Sequence, residues 1–206
     1  DVILACCGET PTLEVIAAVD ILRKSVRGIR IRVVNVVDLM KLQSPETHPH
    51  GMSDEEYDAI FTKDKPIIFN FHGYPSLIHQ LTYDRNNQNL HVHGYMEEGT
   101  ITTTFDMKVQ NKIDRYHLVL AALKYLPQLG NRSSSLIEEC KNKLIEHKLY
   151  IGNYGQDIEE IRNKLGFKPY IFTWRHWKVK ETLTGKNTCF CMKRHTKKWL
   201  RKNKIK

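Results

Sequence analysis

Short apolar runs, each followed by a stretch of helical spacing, recur through the first half of the chain. Val2 to Cys7 is continuously apolar and stops at Gly8. Thr10-Pro11-Thr12 then opens a helix, with Thr10 as its expected N-cap, Pro11 at the first helical position, and Leu13, Ile16, Ala17 and Ile21 along one face. Ile29 to Val36 alternates and then turns apolar, which predicts a second strand. Asp38 to Gly51 is irregular apart from a turn near Leu39-Met40, because Pro45 and Pro49 interrupt any helix. Ser53 followed by Glu56 predicts a capping box for a helix that carries Tyr57, Ile60 and Phe61. Pro66 to Phe71, apolar but for Asn70, predicts a buried central strand over Ile67 to Phe71, and it ends in His72-Gly73-Tyr74 before a helix from Pro75 to Tyr83. Leu90 to Gly94 predicts a fourth strand, with His91 and His93 alternating along it.

Beyond Gly99 the run Thr100 to Thr104 is too polar for a core strand and reads as a loop, in which a further edge strand has room to sit. Ile113 to Leu126, Ser133 to Tyr150 and Asp157 to Leu165 carry helical periodicity. Strands alternating with helices define the expected fold class: an α/β, three-layer α/β/α domain built on an open, mostly parallel sheet.

Composition changes this picture mainly at one end. The net charge of +9 is not spread evenly: residues 171–206 hold 12 basic side chains against the single acid Glu181. The three tryptophans, Trp174, Trp177 and Trp199, lie there as well. Two segments are therefore expected, an α/β domain over residues 1–166 and a basic, Trp-rich tail over 167–206 that is poorly packed. The chain begins inside a strand pattern, at Asp1, and reads as a piece of a longer polypeptide. Cys6 and Cys7 lie in an apolar strand and form no disulfide framework with Cys140, which suits a reducing, cytoplasmic setting. No run has the length and apolarity of a membrane span, so no membrane partner is expected.

Two strand-end turns are the candidate sites. Gly8, Glu9 and Thr10 stand between a strand and a helix start, where free N–H groups and the helix dipole favour anions, although the Glu9 carboxylate opposes one. His72, Gly73 and Tyr74 end the central strand, and either turn can serve as an anion, ligand or interface site. Against this, a structural turn and a hydrogen-bonded scaffold histidine explain the same residues. His48-Pro49-His50 and His91-Val92-His93 read as satisfied surface or turn histidines rather than metal ligands, and Cys189-Phe190-Cys191 is too tightly spaced for the usual zinc pairing. Glu97-Glu98 reads as a pair of solvated acids. No dinucleotide or P-loop fingerprint occurs. No residue completes a nucleophilic constellation, and no metal site is expected.

Longer segments carry a specific likeness. G-E-T-P-T-L-E (8 to 14), V-V-N-V-V-D-L-M-K-L-Q (33 to 43), H-P-H-G-M-S-D (48 to 54), F-H-G-Y-P-S-L-I-H-Q-L-T-Y (71 to 83), N-L-H-V-H-G-Y-M-E-E-G-T-I-T-T-T-F-D-M (89 to 107) and D-R-Y-H-L (114 to 118) resemble the C-terminal domain of the thiamine diphosphate-dependent phosphoketolases. The resemblance runs from Asp1 to about Gly166. It implies a transketolase C-terminal-like fold in an enzyme that cleaves xylulose 5-phosphate, and often fructose 6-phosphate, with phosphate to acetyl phosphate and an aldose phosphate.

The same resemblance places thiamine diphosphate and Mg2+ between the first two domains of opposite subunits of a homodimer. Its N-terminal and middle domains are the implied partners of this one. No catalytic or cofactor-binding residue carries over, since the chain lacks both the metal-diphosphate signature and an assignable glutamate for the aminopyrimidine. The basic tail departs from the family, whose members end soon after the helix matching Asp157 to Asn163. Two other readings stand beside this one: a regulatory module that takes a nucleotide or phosphorylated metabolite at the two turns, and nucleic-acid binding through the tail. The second is the weaker, because an accidental extension, such as a read-through or frame-shifted end, accounts for the tail better, and no nucleic-acid partner is expected.

Overall fold

The computed structural model describes residues 1–96, 99 and 101–162, and the expected tail over 167–206 and its boundary lie outside them. Strands β1 (Val2–Cys7), β2 (Ile31–Asn35), β3 (Ile67–Phe71) and β4 (Leu90–Gly94) form one sheet in the order β2-β1-β3-β4. Every pairing is parallel, with Ile3 opposite Ile67 and Cys7 opposite Phe71 across the central pair. All five residues of β3 are buried, Asn70 among them, as befits a mostly apolar strand covered on both faces.

The sheet separates two cores. On one face Val2, Leu4, Cys6 and Ile68 pack under Val15, Ala18, Val19 and Leu22 of α1 (Glu9–Ser25) and under Leu118, Val119 and Ala122 of a later helix. On the other face Ile3, Ala5, Ile67 and Phe69 meet Tyr57 and Phe61 of α2 (Asp54–Phe61) and Ile78 and Leu81 of α3 (Pro75–Leu81). This division follows from topology. The chain steps from β1 to β2 in one direction, then reverses across β1 to reach β3 and β4, so crossovers of one hand put α1 on one face and α2 and α3 on the other.

The Ser53 capping box is present: its hydroxyl accepts from Glu56 N at 3.2 Å and its own N–H donates to the Glu56 carboxylate at 3.1 Å. The irregular stretch before it contains a 3₁₀ turn at Leu39–Leu42, capped by Asp38. Arg85, 3% exposed, fastens that stretch. Its guanidinium donates to the carbonyls of Leu42 (2.8 Å), Met52 (2.9 Å) and Gln43, pairs with Asp54 at 2.6 Å and lies over the Tyr57 ring.

The segment after β4 differs from expectation. Residues 101–103 are irregular, as the predicted loop requires, a helix, α4 (Thr104–Gln110), follows where none was expected, and no extra strand joins the sheet among the described residues. Thr103 caps it by accepting from Asp106 N at 3.3 Å, so the T-x-x-D spacing was a start signal that the polarity of the threonine run obscured. Helix α5 (Arg115–Lys124) is shorter than its periodicity, because Asp114 caps it and turns Ile113 into the core as a lead-in. Helices α6 (Ser134–Tyr154) and α7 (Glu159–Arg162) complete the described chain.

Candidate functional site at the carboxyl edge of the sheet

The two predicted turns come together. Reversal of the winding direction at β1 leaves the carboxyl ends of β1 and β3 side by side, the place where ligands of open parallel sheets collect. His72 N donates to Cys7 O at 3.3 Å, and a Cβ added at Gly8 would stand 3.0 Å from His72 Cβ. Gly8, with φ +105°, is itself the N-cap of α1. This corrects the expected cap at Thr10, which lies inside the helix, because only glycine turns this strand so sharply into a helix. Thr12 closes the turn, with its backbone N–H and hydroxyl donating to Gly8 O at 3.1 and 2.6 Å.

Glu9 and His72 are exposed and Thr10 is half-buried. The His72 ring stands edge-on to Tyr95, with centroids 5.8 Å apart. Gly73 and Gly94 pack backbone to backbone: a Cβ on Gly94 would meet Gly73 O at 2.4 Å. Tyr74 is 58% exposed and caps α3 through its backbone, with Pro75 at the first helical position. These six residues therefore form a tight, glycine-lined seam rather than an open bowl. Cys7, beside it, is a poor nucleophile, because burial pushes its thiol up.

Beneath the seam lies a polar layer that sequence reasoning missed. Asn70, fully buried on β3, donates to Pro11 O (3.3 Å) and Ile113 O (3.0 Å), tying the first turn of α1 to the lead-in of α5, while its Oδ1 has no partner. Glu14, 1% exposed, receives Lys108 Nζ at 2.9 Å, Arg115 Nε at 2.9 Å and Arg115 N at 3.1 Å. Burial alone would raise its carboxyl, but hydrogen bonds and charge from Arg115 and Lys108 outweigh that and hold it below the usual range. Asp106 pairs with buried His147 at 3.2 Å and accepts from Thr102 and Gln110, each at 2.7 Å. Asp114 caps α5 and bonds His117. The bonds of Asp106 to Thr102 and Gln110 and of Asp114 to His117 are local, whereas those of Asn70, Glu14 and His147 join residues far apart in the chain.

The histidine pairs have ordinary partners. His48 Nδ1 accepts from His50 N at 3.1 Å, and the His50 ring bonds Asp38 at 3.1 Å. His91 stacks on Tyr125 and His93 bonds Lys112 O at 3.0 Å. Among the described residues no group of three or more His, Cys, Asp or Glu is placed to hold a metal ion. The donor set likewise does not fit thiamine diphosphate: each of the buried carboxylates Glu14, Asp106 and Asp114 is already bonded within the chain.

A parallel sheet wound in both directions, covered by helices on each face and switching at a glycine seam, defines an α/β domain of the doubly wound kind. The family described as the XFP C-terminal domain matches residues 1–165, and the chain belongs to that family. It is 58% identical over 163 residues to a probable phosphoketolase of Clostridium acetobutylicum, covering 79% of this chain and 20% of the relative. It is 57% identical over 164 residues to that of Rhodopirellula baltica, covering 79% and 21%. The chain thus spans about a fifth of the length of these curated relatives. Among solved structures, one described as "Split gene transketolase, inactive beta4 tetramer" aligns with a TM-score of 0.42 at 15% identity, over 61% of this chain and 39% of that one.

Proposed function

We propose that residues 1–166 act as the C-terminal, structural and dimer-supporting domain of a phosphoketolase, an aldehyde-lyase of the pentose phosphate pathway of carbohydrate metabolism. In the complete, cytoplasmic enzyme the N-terminal and middle domains hold thiamine diphosphate and Mg2+ and cleave xylulose 5-phosphate, and in some members fructose 6-phosphate, with phosphate. The observation that carries this reading is the identity of 54–58% to probable phosphoketolases along nearly the whole α/β domain. Supporting it, the buried carboxylates Glu14 and Asp106 are engaged in bonds that fasten helices to one another.

The test is a chimera in which residues 1–166 replace the matching segment of the Clostridium acetobutylicum relative. It is expected to remain dimeric and to form acetyl phosphate from xylulose 5-phosphate within about tenfold of the parent, a barrier change of about 1.4 kcal/mol. A folded dimer without activity overturns the reading. The isolated chain is expected to show no saturable micromolar binding of thiamine diphosphate with Mg2+ by calorimetry.

A further inference from the structure

Away from the seam, a cleft of about 370 Å3 opens between the irregular stretch after β2 and the end of α3. Its volume falls within the range of small-molecule sites, roughly 300–1,000 Å3. Its polar lining sets Gln43, Ser44, Thr47 and Gln80 beside one carboxylate (Asp84), one imidazole (His79) and one guanidinium (Arg85), over a floor that includes buried Leu81. The side chains of Gln43, Gln80 and Asp84 make no hydrogen bond within the described residues, whereas Ser44 and Thr47 share one at 3.0 Å. Tyr83, 78% exposed, also lines the cleft.

The wall is preorganised. Arg85 clamps Leu42, Gln43 and Met52 through their carbonyls, and Ser44 O receives Thr47 N and His48 N at 3.1 and 3.0 Å, so the amides and hydroxyls stand on a fixed backbone. The same clamp removes the cation a phosphate would need. Arg85 is neutralised by Asp54 at 2.6 Å, and Asp84 would repel an anion. Side-chain amides, hydroxyls and a carboxylate each match a ligand hydroxyl, which both donates and accepts, and an exposed aromatic face suits the C–H face of a sugar ring.

We infer that this cleft binds a small uncharged sugar or polyol. The inference does not rest on the phosphoketolase reading, since binding is measured without turnover.

The test titrates the full 206-residue chain, 15N-labelled, with D-xylose, D-glucose and maltose, with inorganic phosphate in parallel. At least one sugar is expected to give saturable shifts at the amides of Gln43, Ser44, Thr47, Gln80 and Asp84. Gln80→Ala and Asp84→Asn, both at exposed positions that leave the fold intact, are each expected to weaken it about tenfold or more. No saturable shift up to about 100 mM sugar, a weakness beyond the millimolar range of even modest sites, overturns the inference. So do shifts centred elsewhere, unchanged affinity in both variants, or tighter binding of phosphate at the same amides.

Discussion

Glu14 holds three helices together from inside the domain. Replacing it by alanine strands Arg115 and Lys108, whose side chains are only 12% and 15% exposed, and breaking such a buried cluster from one side costs about 3–5 kcal/mol. Denaturant unfolding of Glu14→Ala is expected to show that loss. The pH dependence has a definite sign. The folded carboxyl titrates below its unfolded value, so the stability it contributes is complete above about pH 4.3 and drains away as pH falls through the folded pKa. Glu14→Gln is therefore expected to flatten the acid limb of a stability–pH curve, and an unchanged limb would show that other carboxylates control it. At the seam, Gly94→Ala forces a methyl against a backbone carbonyl 2.4 Å away and is expected to cost about 1–3 kcal/mol by thermal melting. The Ser53 cap was legible because its partner lies three positions on; the Glu14 cluster was not, because its partners lie 94 and 101 positions along the chain.

All four strands were readable as elements, since their apolar runs and glycine or proline boundaries are local signals, and β2 alone came out shorter than its pattern. Helix α4 was not readable in the same way: the threonine run at its start is a weak helix former, and the tertiary anchors, Asp157 on Thr103, Glu14 on Lys108 and His147 on Asp106, secure it. Edge strand β4 carries its own pH response. Burial lowers the pKa of both His91 and His93, with nearby positive groups adding to the effect at His91 and the Lys112 carbonyl opposing it at His93. Their folded values lie below the ordinary 6.5, so the unfolded chain takes up protons first, and stability present above about pH 6.5 is lost as pH falls below it. Amide exchange is expected to show β4 losing protection as pH falls below about 6.5 before β1 and β3 do, and His93→Gln to blunt that loss. Equal loss in all four strands would mean that the histidines do not govern it.

At the scale of the molecule, the turns singled out in sequence did converge on one seam, because strand order, which no local signal encodes, decides which strand ends become neighbours. The tail is expected to add little. Its charge of +11 over residues 171–206 opposes compaction, so truncation after Tyr170 is expected to leave the melting temperature within a few degrees, and a larger drop would make the tail part of the fold.

The sheet that divides the two cores also divides the mutational response of the domain. Val15 and Val119 share one compartment with α1 and α5, while Ile78 lies in the other, behind the sheet. A thermodynamic cycle that pairs Val119→Ala with Ile78→Val is expected to close within about 0.3–0.5 kcal/mol, whereas one that pairs it with Val15→Ala is expected to leave a coupling energy of about 0.5 kcal/mol or more. Substitutions can then accumulate on one side without regard to the other. Evolution of this domain is free to proceed as two nearly independent ledgers of compensation, bound together only by the strands between them.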